Sequence, residues 1–168
     1  MLTIVLRFAH VFFGAIWVGM MAFQVFFLGP ALATVGADAG KLMGALARLR
    51  MQLIMPILAL ITLVSGFWLF QRMSGGNMGA LMATPMGKAF AIGGVSALVA
   101  FLFGMIAMRP LMMRSLKLME SMAAAPPDQR AAMSTELQRL RDRGTLFGKV
   151  VAVMLLFTLA AMAVARYL

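Results

Sequence analysis

The chain has 168 residues, 63% of them hydrophobic, with 15 Lys and Arg against 5 Asp and Glu. A soluble domain of this length cannot bury so much apolar side chain, so its long apolar runs mean membrane spans within one membrane domain, 1–168. The absence of Cys excludes disulfides, thiolate metal sites and cysteine nucleophiles. The net charge of +10 does not point to nucleic acid, because the basic residues lie in connections beside apolar runs, where they set topology and meet anionic lipid.

The first span is expected at about 3–28, closed by Gly29-Pro30, since proline disfavours a helical residue before it. Ala31-Leu32-Ala33 resembles a signal cleavage site. An apolar run of about 20 residues outlasts a signal h-region, however, so the segment reads as a retained span. The segment 38–50, with Lys41, Leu42, Leu46 and Leu49, reads as a short interfacial helix.

The second span is expected at about 50–70, kinked at Pro56. Ser74-Gly75-Gly76-Asn77 then breaks the chain. The third span, about 87–109, follows Thr84-Pro85 and carries a small-residue seam at heptad spacing: Gly93, Ala97, Ala100, Gly104, Ala107. Met112, Leu116 and Met119 continue it beyond the membrane as an amphipathic helix. Ala125-Pro126-Pro127 stops that helix, and Asp128 is placed to cap the next. Met133, Leu137 and Leu140 form a second apolar stripe. An amphipathic hairpin at about 110–145 thus leads into a fourth span at about 146–166, which can start as early as 128, with Gly144 as a weak point. The fold class is all-α: a transmembrane antiparallel four-helix bundle with cytoplasmic extensions of helices 3 and 4.

Eleven of the 15 basic residues fall in the 1–2 and 3–4 connections, Lys149 at the edge of the latter included. The positive-inside rule puts those connections in the cytoplasm and both termini outside, in the periplasm for a bacterial inner membrane.

Chemistry concentrates on one face of the first span. Thr3, Arg7, His10, Trp17 and Gln24 share an arc of about 100°, with Gly14 and Met21 on it too. His10 is the only histidine. It lies about 10–12 Å below the outer end of its helix, one turn from Arg7. An ionisable residue at that depth is a functional candidate. Histidine is a common haem ligand, and bundles build such sites from inward-facing residues. Arg7 would pair with a propionate, Gly14 would admit a flat macrocycle, and Trp17 would pack on its edge. Lys88 is a further ligand or propionate partner, or else snorkels to the interface. The plain alternative for His10 is an interhelical hydrogen bond, and the same is expected of Gln24. The 19 methionines raise a copper alternative, since Cu(I) favours thioethers. Met82 and Met86, at helical spacing on the outer side, are the best pair, although methionine is also ordinary core filler. Acidic residues all lie outside the spans, which argues against a carboxylate proton pump or cation channel.

Arg7-Phe8-Ala9-His10 followed by Trp17-Val18-Gly19, Gly87-Lys88-Ala89-Phe90 at the head of the third span, and the ending Met162-Ala163-Val164-Ala165-Arg166-Tyr167 resemble the CopD/HemJ-type membrane proteins. The HemJ side of that resemblance implies haem b and protoporphyrinogen oxidation; the CopD side implies copper handling. The chain lacks the arginine and further histidines of the HemJ pattern after the first helix, and the additional histidines of CopD. Three functions stay open. One is a haem-b protein for electron transfer or porphyrin redox chemistry. The second is a copper transport or tolerance protein. The third is a non-catalytic subunit of a larger membrane complex, or a homo-oligomer.

Overall fold

The computed structural model describes residues 1–36 and 39–168. The expected link between the first span and the 38–50 segment falls partly on residues 37 and 38, outside the described residues. Among the described residues six helices follow in order: α1 (Leu2–Val35), α2 (Ala39–Arg48), α3 (Met51–Ser74), α4 (Met78–Ala83), α5 (Pro85–Ala124) and α6 (Pro127–Tyr167). Four of them, α1, α3, α5 and α6, are long and apolar enough to cross a membrane. Many large apolar side chains on their outer faces stay exposed, among them Phe8, Val64, Ile106 and Phe157. So much exposed hydrocarbon needs a nonpolar surround.

Gly29-Pro30 does not close the first helix. A π turn, Gln24–Leu28, precedes it, and helix resumes over Gly29–Val35. The same device recurs in α5, where a π turn, Gly104–Met108, precedes Arg109-Pro110 and helix runs on to Ala124. Proline lacks an N–H and its ring collides with the carbonyl four residues back. A wider turn ahead of the ring relieves that collision without ending the helix. Pro56 likewise sits inside an unbroken α3.

Two polar caps shape the connection between α3 and α5. Asn77 Oδ1 accepts from Ala80 N at 2.9 Å and starts α4, a short helix not expected from the sequence. Thr84 Oγ1 accepts from Gly87 N at 3.0 Å and starts α5. Asp128 does not cap α6. The N-cap is Pro126, without a side-chain cap bond, and Asp128 lies in the first turn, where its charge still favours the helix N-terminus. Gly144 does not interrupt α6.

The principal packing partners are α1 with α3 and α5 with α6. Contacts pair rising numbers on one helix with falling numbers on the other. Thr3 meets Arg72 and His10 meets Thr62. Gly93 meets Thr158, Phe103 meets Phe147, and Met119 meets Arg141. All four long helices feed one core, comprising Trp17 and Met21, Leu58 and Ala59, Ala97 and Ala100, and Val151, Ala152 and Leu155. The small-residue seam of α5 is buried at Gly93, Ala97 and Ala100. It ends there, because Gly104 opens the π turn and Ala107 within it is only half-buried, which shifts the register of everything beyond. The helix expected at 38–50 forms over Ala39–Arg48, and its start packs on the protein: Ala39 is buried and Gly40 sits against the Met119 methyl on α5.

Candidate functional site

From His10 to Gln24 the polar stripe of α1 is its packing face, whereas Thr3 and Arg7 stay exposed. Leu6, Trp17 and Met21 on that side are buried, and His10, Gly14 and Gln24 are half-buried. The partner surface is the middle of α3, where Leu58, Thr62, Ser65 and Gly66 recur every three or four residues. The hydroxyls of that surface fold back onto their own helix. Thr62 Oγ1 donates to Leu58 O at 2.8 Å, and Ser65 Oγ to Ile61 O at 2.6 Å. Turned inward in this way, they leave room for side chains from α1.

Two reciprocal insertions lock the pair. The His10 imidazole occupies the space over Gly66: a methyl added there would lie 2.6 Å from His10 Cε1 and 2.8 Å from Nδ1. In return the Thr62 methyl fills the space over Gly14, where an added Cβ would lie 3.2 Å from it. Only glycine leaves enough room at the first position. The ring is held by one directed bond, His10 Nδ1 to Thr62 O at 2.8 Å. A carbonyl can only accept, so Nδ1 carries a proton, and the lone pair of a neutral ring is then on Nε2. Nε2 makes no hydrogen bond within the described residues.

The remaining expected site residues disperse. Arg7 is exposed and lines a shallow outer groove of about 550 Å³ with Ile4, Phe8, Val11, Phe12 and Ala15. Trp17 is 5% exposed, inside the common core. Lys88 is exposed on the first turn of α5, while the chief neighbours of α1 are α3 and α6. Met82 and Met86 do not share a helix face. Thr84 between them is extended (ψ 147°), so Met82 lies in the last turn of α4 and Met86 in the first turn of α5. The interhelical bond expected of Gln24 is not made: its Nε2 is buried without a partner among the described residues, beside an apolar cavity of about 200 Å³ at the α1–α2–α3 junction. Thr62, Ser65 and Gly66 are recognisable in the sequence as small packing residues, but nothing there marks them as the seat of His10.

No family model, curated protein or solved structure matches this chain.

Proposed function

We propose that this is a multi-pass inner-membrane protein of CopD/HemJ-like type. In this reading it is an antiparallel four-helix bundle with periplasmic termini and cytoplasmic extensions of α5 and α6, and His10 Nε2 is a haem-b iron ligand in its periplasmic half. The role that follows is electron transfer or porphyrin redox chemistry. One observation carries the ligand assignment. A backbone carbonyl fixes the Nδ1–H tautomer of His10 and leaves Nε2 unbonded, which is how proteins orient a metal-ligating histidine.

The residues fit that group in part. His10 suits an axial ligand. Gly14 does not supply a notch for a macrocycle, because Thr62 fills it, and Trp17 is walled into the core. Arg7, exposed beside an open groove, has the chemistry for a propionate. Haem, where bound, would supply a one-electron centre. The chain itself would contribute the oriented imidazole, a nearby cation and an apolar surround.

A second reading has its own observation. The fit of His10 into Gly66 makes it an interhelical knob, as expected of an accessory subunit in which the pair serves packing alone. Spectra of the detergent-purified protein, oxidised and dithionite-reduced, beside His10→Ala, separate the two. A Soret band lost in the variant supports the ligand; a colourless wild type expressed with haem supplied rejects it. Orientation is tested by single cysteines in this cysteine-free chain. A membrane-impermeant maleimide labels position 76 in intact spheroplasts but not position 120.

A further inference from the structure

The cytoplasmic extensions carry their charges unevenly. Counting back from the turn at Ala125-Pro126, the residues within about 15 Å at 1.5 Å per residue are Lys117, Glu120, Asp128, Arg130 and Glu136, a net −1. Farther from the turn, toward the membrane-length apolar segments, lie Arg109, Arg114, Arg139, Arg141, Arg143 and Lys149, with Asp142 as the single acid, a net +5. Arg48 and Arg50, at the junction of α2 with α3, stand at the same end of the molecule. Their neighbour Met51 shares a cavity with Gln24, and Val25 in turn packs over Gly148.

All eight of these basic residues are exposed. None is held by a carboxylate among the described residues. Arg141 instead reaches the Met119 sulfur at 3.8 Å, and Asp142 accepts from Gln138 at 2.9 Å. A belt of unneutralised cations concentrated where the hairpin meets the apolar spans is matched to negative charge lying in a plane at that height.

We propose that this belt binds the phosphate headgroups of anionic phospholipids, seating the extensions on the inner leaflet. Arginine guanidinium groups suit phosphate oxygens through paired N–H donors. The belt lies at the level of the headgroup layer if the spans end near Arg109 and Lys149. The proposal rests on the four-span membrane reading and is independent of haem.

The test uses the full-length protein reconstituted in phosphatidylcholine bilayers with trace spin-labelled phosphatidylglycerol or phosphatidylcholine. Electron spin resonance reads the motionally restricted fraction of each lipid. The wild type is expected to prefer the anionic label, with the preference falling as salt rises. The triple variant R114Q/R139Q/R143Q loses that preference by about tenfold or more, whereas the tip variant K117Q/R130Q retains it. Equal association of both labels with the wild type, an unchanged belt variant, or complete displacement of the anionic lipid by a soluble polyglutamate peptide overturns the proposal. Carbonate extraction run in parallel keeps the two readings apart. Protein released from the membrane refutes the spans themselves; protein retained without lipid preference refutes only the belt.

Discussion

Gly66→Ala probes the His10 seat directly. The added methyl would sit 2.6 Å from His10 Cε1. Carbon atoms prefer about 3.5–4.0 Å, so the ring must retreat by about 1 Å or the helices must part. The imidazole is rigid and tied to Thr62 O at 2.8 Å, so retreat sacrifices that bond. Overpacking costs about 1–3 kcal/mol and the hydrogen bond about 0.5–1.5 kcal/mol, against about 1 kcal/mol gained from alanine's helix propensity. The expected net is about 2 kcal/mol of destabilisation. The assay is unfolding in mixed micelles followed by circular dichroism, with Gly19→Ala as control, since an added Cβ at Gly19 meets nothing within 4 Å. His10→Ala removes the obstacle, so Gly66→Ala in that background should be neutral or stabilising, a coupling of about 1–3 kcal/mol. If Gly66→Ala is as stable as Gly19→Ala, or if the double-mutant cycle shows no coupling, the reciprocal insertion is not the feature that joins α1 to α3.

The other predictions follow from the same contacts. Thr62→Val keeps both the backbone acceptor of His10 and the methyl over Gly14, so stability should change by less than about 1 kcal/mol and the ¹⁵N spectrum should still show an Nδ1–H tautomer; loss of that tautomer would refute the assignment. Trp17→Ala opens a cavity where the four long helices meet and should cost about 3–5 kcal/mol, whereas Trp68→Ala, at a side chain 55% exposed, should cost about 0.5 kcal/mol or less; equal losses would contradict the described core. Gly87→Ala drives a methyl into the Leu81 carbonyl, backbone against backbone, so it should lower the yield of folded protein far more than Gly94→Ala, where the space is open; matched yields would refute that packing.

Four helices long and apolar enough to cross a membrane were legible in the sequence, because the length of an apolar run needed to cross a bilayer is a local quantity. The sequence also picked the buried face of α1. His10, Gly14, Trp17, Met21 and Gln24, all buried or half-buried, share one side at 3.6 residues per turn, whatever the partner; Thr3 and Arg7, at the N-terminal end of the same side, stay exposed. The helical continuations past residue 109 and before residue 146 were legible for the same reason. What depends on more than local spacing was not. Gly29-Pro30 stops a helix only if the turn before it stays α-helical, and the π turn at Gln24–Leu28 removes that condition. Met82 and Met86 have helical spacing in the chain, yet the extended Thr84 separates their helices. The choice of α3 as the partner of His10, with Gly66 as the hole and Thr62 O as the acceptor, was decided only by tertiary packing. Periodicity says which face of a helix turns inward. Which of three apolar neighbours has the one gap that admits an imidazole is settled by the shape of two surfaces meeting, and that shape exists only once the helices pack.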